Sequence, residues 1–139
     1  MVDRAVLANK TAAIRDAVSR IRDVLPATPD DFVADRTSRE VVTLNLFLAL
    51  QESIALATHW LADEGWTVPQ THGEAFMALA ARGVLSQPLA SRLRAAAGLR
   101  NLIAHQYGVI DVRRIFAIAS DELDDLIAFC EELVRRAGP

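Results

Sequence analysis

The sequence has few of the residues that cross-link or interrupt a protein chain. It contains 139 residues with one cysteine, six glycines and five prolines. The single cysteine, Cys130, cannot form a disulfide within the chain, which suits a reducing compartment, and beside Phe129 it is expected to be a small core residue. Hydrophobic residues make up 52%, which argues against disorder. Because alanine and leucine dominate, and both lose little entropy in a helix, the composition predicts an all-helical protein.

We also expect no segment that directs the protein to a membrane. The first ten residues contain no apolar run of the kind found in signal peptides. The most apolar run, Val41 to Leu50, contains Thr43 and Asn45 and is too short to span a bilayer. We therefore expect a cytoplasmic protein, and its length fits one domain over residues 1–139.

The spacing of apolar residues predicts where the longer helices lie. Between residues 5 and 25 apolar side chains recur at helical spacing, and Pro26 ends this first helix. A long second helix is predicted from Asp30 to Ala62, and its middle is apolar nearly all round, as in the central helix of a bundle. Gly65 is suited to a C-terminal cap of this helix.

Capping signals divide the second half of the chain into shorter helices. Thr71 and Glu74 have the spacing of a capping box, which predicts a short helix from this point. Later starts are predicted from side chains that cap a helix or favour its first turn. Since no strand alternation or repeat is present, the sequence predicts an all-α, five- or six-helix up-down bundle with short loops. The later boundaries are a start at Ser86, an end near Gly108, a cap at Asp111 and a fresh start at Ser120–Glu122.

Acidic side chains are absent from a long internal stretch, although the chain is acidic overall. The formal charge is −3, yet no Asp or Glu occurs between Ala75 and Ile110. A local basic segment of this kind is a candidate phosphate-facing surface, while four arginines could also fall there by chance. The arginines of this segment are Arg82, Arg92, Arg94 and Arg100.

Inside this segment, the residues from 99 to 107 form an ordered helical pattern. At about 100° per residue, Arg100 and Tyr107 share one flank of the polar face, and Asn101 and His105 share the other. Small residues between the two flanks would let a backbone or a partner helix approach closely. The apolar positions are Leu99, Leu102 and Ile103 toward the core and Ala97 and Ala104 between the flanks.

The side chains of this polar face match the needs of RNA cleavage without a metal. That reaction requires a base for the 2′-OH proton, an acid for the leaving 5′-oxygen and a cation for the phosphorane. His105 can serve in either proton transfer, and the planar fork of Arg100 suits phosphate oxygens. Because the two side chains diverge by about 140° and one histidine cannot easily perform both transfers, a two-fold dimer would complete the site. The plain alternative is a solvated helix face with ordinary polar residues.

The other polar candidates are weaker. His59 lies near a predicted helix end and His72 near a helix start, and no set of His, Cys and carboxylate side chains has metal-ligand spacing. Asp35, Arg39 and Glu40 precede the apolar helix and either face the motif or are ordinary helix-surface charges. These residues alone predict no site.

The segment from Arg100 to Tyr107 resembles the R-x4-6-H signature of HEPN domains. The tyrosine two residues after the histidine is similar to that of the HepT-like toxins in particular. The resemblance extends over most of the chain. It includes the long apolar second helix preceded by Asp35, the segment Thr71–Phe76, a Gly-Val-Leu turn and the stretch Ala97–Tyr107.

This resemblance implies a homodimeric, metal-independent ribonuclease toxin that uses no cofactor. It implies that Arg100 and His105 of both subunits are catalytic and lie at the dimer interface. Asn101, which shares the flank of His105, is expected to support them. It further implies a minimal nucleotidyltransferase antitoxin that adenylylates Tyr107, and a bulky anion on the flank of Arg100 would block the cleft. The alternative is a catalytically silent helical dimer that binds a nucleotidyltransferase partner or a nucleotide.

Overall fold

The computed structural model describes residues 1–105 and 107–139, apart from the side chain of Tyr107. The described residues form seven α-helices and one short 3-10 helix, and no strand occurs among them. The all-α prediction is confirmed, with one or two more helices than expected. The helices are α1 Arg4–Val24, α2 Pro29–Ala34, α3 Arg36–Asp63, α4 Glu74–Ala81, α5 Gln87–His105, α6 Val112–Asp121 and α7 Leu123–Ala137, with the 3-10 helix η1 Tyr107–Val109.

The predicted second helix is interrupted at Asp35, which accounts for one of the additional helices. Asp35 has an extended backbone (φ −104°, ψ 101°), ends α2 and caps α3. Its carboxylate accepts hydrogen bonds from the backbone N–H and the hydroxyl of Ser38, at 3.2 and 2.8 Å. These bonds to the Ser38 side chain and backbone lower the pKa of Asp35. The prediction of a continuous helix from residue 30 to 62 was wrong because apolar periodicity does not register a capping carboxylate.

The helix boundaries in the second half agree with the sequence at most points. The Ser86 hydroxyl accepts a hydrogen bond from the Leu89 N–H at the start of α5, Asp111 caps α6 and Glu122 separates α6 from α7. The cap predicted at Thr71 was wrong, because α4 begins at Glu74 after Gly73 with no side-chain cap.

Helix α3 occupies the centre of the bundle and contacts all six other α-helices. Its length and composition would also suit a membrane span, and 56% of its most apolar window is buried inside the protein. The buried hydrophobic side chains form one contiguous cluster around it. The largest completely buried side chains come from most of the helices: Phe32, Phe76, Phe129, Ile14, Ile21, Leu46, Leu56, Leu61, Leu79, Leu93, Leu99 and Leu133.

Cys130 is a core residue, as predicted. Its side chain is fully buried next to Phe129, whose ring packs edge-on against Phe76 at a centroid distance of 5.4 Å. Burial raises the pKa of the Cys130 thiol to about 11, so little thiolate is present at neutral pH.

Candidate functional site

Arg100 is held in place by the central helix. Its side chain is partly buried on α5, and its Nε donates a hydrogen bond to Oε1 of Gln51 at 2.6 Å. The guanidinium carbon lies 5.5 Å from the ring centroid of Phe47, one turn earlier on α3. The two α3 residues therefore fix the direction of the arginine before any ligand binds.

Asn101 provides a third contact to the same guanidinium. Its Oδ1 accepts a hydrogen bond from Nη1 of Arg100 at 3.1 Å. An arginine carries five N–H groups, and the bonds to Gln51 and Asn101 use only two of them. Among the residues that the structure describes, no carboxylate forms a salt bridge with Arg100, so the guanidinium keeps donors for an anion.

His105 is the last residue of α5 and is exposed to solvent. No hydrogen bond joins its ring to another described side chain. Asn101, one turn earlier, is exposed as well. The flank predicted for these two residues is therefore on the surface, and the hydrogen bond of Asn101 to Arg100 links the two flanks.

The prediction for Tyr107 concerns a side chain outside the described residues. Its backbone begins the 3-10 helix that follows α5. α5 is described as far as His105, and the 3-10 helix ends at Val109, next to the end predicted near Gly108. Because a 3-10 helix has a different number of residues per turn, α-helical spacing does not place Tyr107 on the flank of Arg100.

The alanine floor predicted between the flanks is only half exposed. Ala104 is exposed, but Ala97 is buried. The start of α4 covers it: a Cβ added at Gly73 would lie 3.7 Å from the Ala97 Cβ and 3.0 Å from Cγ of Arg94. Residue 73 thus has little room for a side chain, and the loop before α4 lies closely against α5.

The segment from Ala75 to Ile110 contains no acidic residue, but acidic side chains from elsewhere in the chain contact two of its arginines. Arg92 pairs with Asp125 of α7 at 3.1 Å, and Arg94 pairs with Glu74 of α4 at 3.5 Å. The guanidinium of Arg82 stacks 4.9 Å from the Trp66 ring. The phosphate-facing surface expected from four arginines therefore loses Arg92 and Arg94, because packing brings acids from other helices to both of them.

The charges at the start of α3 make local contacts. Asp35 caps α3, Arg39 donates to the carbonyl of Val33, and Glu40 pairs with Arg36 at 2.8 Å. Arg39 and Glu40 are ordinary helix-surface charges, as the alternative interpretation held, whereas Asp35 has a capping role. Within residues 1–105 and 107–139, no three His, Cys, Asp or Glu side chains are grouped to hold a metal ion.

Sequence reasoning missed the two α3 residues that contact Arg100. Gln51 and Phe47 lie in a stretch that reads as apolar nearly all round, and no spacing within α3 shows which turn faces α5. Only the relative rotation of the two helices identifies them.

Comparison with known proteins identifies the family of this chain. The family model of HepT-like ribonucleases matches residues 14–133. The mRNA nuclease HepT of Shewanella oneidensis is 28% identical over 126 residues, 91% of this chain and 94% of that protein. The tRNA nuclease HepT of Aphanizomenon flos-aquae is 26% identical over 104 residues, 75% of this chain and 71% of that protein.

A solved structure shows the same fold. It is that of the tri-AMPylated Shewanella oneidensis HEPN toxin in complex with its MNT antitoxin. It superposes with a TM-score of 0.86 at 27% identity and covers 97% of this chain and 99% of that one. Since the family model spans nearly the whole bundle, this chain belongs to the HepT-like ribonuclease family.

Proposed function

We propose that this protein is a metal-independent endoribonuclease, the cytoplasmic toxin of a type VII-like toxin–antitoxin pair, and that it acts as a homodimer. The observation that carries the proposal is the anchored guanidinium of Arg100 on the helix that ends in the exposed His105. The relatives named as nucleases of mRNA and tRNA support RNA as the substrate class.

The proposed reaction assigns one role to each side chain. A His105 ring takes the proton of the ribose 2′-OH as its oxygen attacks phosphorus, and a protonated His105 gives a proton to the leaving 5′-oxygen. The P–O5′ bond breaks, which leaves a cyclic 2′,3′-phosphate and a free 5′-hydroxyl. Arg100 stabilises the charge of the phosphorane, and Asn101 keeps the guanidinium oriented.

An exposed apolar surface beside Arg100 supports the dimer. Leu44 and Leu48, one turn apart on α3, are 57% and 40% exposed. With the partly buried Phe47 they form a continuous strip, here called the α3 apolar patch, and Phe47 also contacts Arg100. Pairing two patches would bury this strip and bring the second Arg100 and His105 toward the first.

Cleavage of RNA in the presence of EDTA tests the proposed function. We expect the purified unmodified protein to cut single-stranded RNA at an unchanged rate after EDTA treatment, with cyclic phosphate at the new 3′ ends. Product ends are read by mass spectrometry of short oligonucleotides. Cleavage that appears only after a divalent metal is added would overturn the mechanism. A protein that never cleaves RNA and does not arrest growth would favour the catalytically silent dimer.

The proposed partner is a minimal nucleotidyltransferase antitoxin that adenylylates Tyr107. The Shewanella oneidensis toxin is AMPylated in its complex with an MNT antitoxin, and Tyr107 is the single tyrosine of this chain. We expect co-expression with the partner to increase the intact mass by one or more AMP units and to stop RNA cleavage. The Tyr107→Phe variant should keep the unmodified mass and stay active beside the partner. A mass increase that survives this substitution would place the acceptor elsewhere.

A further inference from the structure

A polar groove opens next to Arg100, between the C-terminal half of α3 and the loop that leads into α4. Its volume is about 430 Å³, within the range of sites that hold small ligands. Its apolar lining consists of Ala55, Pro69 and the buried Ile54. Six polar side chains line this α3 groove: Gln51, Thr58, His59, Gln70, Thr71 and His72.

The α3 groove is continuous with the candidate site at two points. On the α3 side, Gln51 lines the groove and also accepts the hydrogen bond from Nε of Arg100. On the loop side, His72 precedes Gly73, which packs on α5 at Ala97, one turn before Arg100. From Gln51 to His59 the groove follows α3 for about 12 Å, which leaves room for a nucleotide beside the phosphate at Arg100.

The side chains that line the α3 groove indicate which kind of ligand it can bind. Among the described residues that form the groove there is no Asp, Glu, Lys or Arg, so it offers no fixed charge to bind a phosphate by itself. Amides and hydroxyls can pair with the edges of a base and with a ribose, and imidazole rings provide flat surfaces for stacking. These are the features by which proteins hold unstacked bases of single-stranded RNA.

We propose that the α3 groove binds the base and ribose of the nucleotide adjacent to the scissile phosphate. His59 and His72 provide the stacking surfaces, and the amides of Gln70 and Gln51 pair with the base edge. This inference rests on the proposed ribonuclease function and adds to it the site that selects where RNA is cut. The exposed positions of His59, Gln70 and His72 allow their substitution without disturbing the core.

The binding test uses a protein that cannot consume its ligand. In the His105→Ala background, a fluorescein-labelled 12-nucleotide RNA is titrated by anisotropy against the His72→Ala/Gln70→Ala pair. Stacking contributes enough per base that we expect affinity to fall by about 5- to 150-fold. The matched control is Gln87→Ala, an exposed glutamine at the start of α5, about 20 Å along the helix from Arg100, which should bind as its parent does. Far-UV circular dichroism checks that all variants are folded.

A second measurement separates base binding from a general loss of affinity. RNA with an abasic ribose next to the mapped cleavage position should bind the groove-intact protein more weakly, by about the same factor. The same abasic RNA should bind the groove variant no more weakly than normal RNA does. Equal affinity of the variant and its parent for normal RNA would overturn the proposal. So would unchanged RNA affinity together with a lost dimer or lost antitoxin binding, because the groove would then be a protein contact.

Failure of the two proposals can be told apart. If the wild type binds RNA in the groove but does not cleave it, the groove proposal stands and the ribonuclease mechanism fails. If the wild type cleaves RNA and the groove variant binds and cleaves equally well, only the groove proposal fails. In the active protein, the groove variant should raise KM and shift the cleavage pattern, with a much smaller change in kcat.

Discussion

The His105→Ala substitution is expected to reduce RNA cleavage by about 100- to 10,000-fold, the range contributed by general acid–base catalysis. His105 ends α5 and is exposed, so its removal deletes no core contact and should change the thermal midpoint little. In the proposed dimer the substitution removes both proton-transfer groups at once. Initial rates on a defined oligonucleotide with EDTA present, together with a thermal melt, measure both effects.

Variants of Arg100 are measured in the same cleavage assay as His105→Ala. Arg100→Ala should slow cleavage by about 100- to 1,000-fold, and Arg100→Lys should recover only part of this, because lysine keeps the charge but loses the Nε bond to Gln51. Arg20→Ala, on the exposed side of α1, is the matched control and should leave the rate unchanged. Undiminished cleavage by His105→Ala would remove this residue from the mechanism, whatever the arginine variants show.

The second large effect is expected at the α3 apolar patch. Leu48→Glu places one carboxylate from each copy in the middle of the proposed two-fold interface, where the loss of water around each charge and the repulsion between the two should convert the dimer to a monomer. Because each copy supplies half of the site in our proposal, cleavage should fall as far as in His105→Ala. Light scattering after gel filtration gives the mass, and the same oligonucleotide assay gives the rate.

A charged substitution at an equally exposed apolar residue provides the control. Val134 on α7 is 46% exposed, close to the 40% of Leu48, so Val134→Glu tests whether any new surface charge has this effect. It should stay dimeric and active. A wild type that cleaves RNA as a monomer, or a Leu48→Glu variant that remains a full dimer, would contradict the proposed interface.

The sequence was sufficient for the fold class and for most helix boundaries. The spacing of apolar residues and the composition predict the central helix. Capping side chains such as Ser86 and Asp111 correctly predict where helices start. The errors have local physical causes. Asp35 separates two helices that the apolar periodicity had predicted as one, and α4 begins at Glu74 without the side-chain cap predicted at Thr71.

The candidate site was predicted less completely. The helical spacing of about 100° per residue correctly placed Leu99 in the core and His105 on the surface. These two positions depend only on the rotation of one helix about its axis. The contacts of Arg100 with Gln51 and Phe47 depend on how two distant segments pack. The same holds for the acids that neutralise Arg92 and Arg94. A charge pattern read along the chain does not contain this information.

The burial of Cys130 makes the protein suitable for site-specific labelling. Its thiol is inaccessible and, with a pKa of about 11, stays protonated, so alkylating reagents should not modify it while the bundle is folded. A cysteine introduced at the exposed Ala104 would then be the single reactive thiol of the native chain. A nitroxide attached there would lie one residue before His105. The separation of two such labels, measured by pulsed electron paramagnetic resonance, would report how two copies face each other in solution.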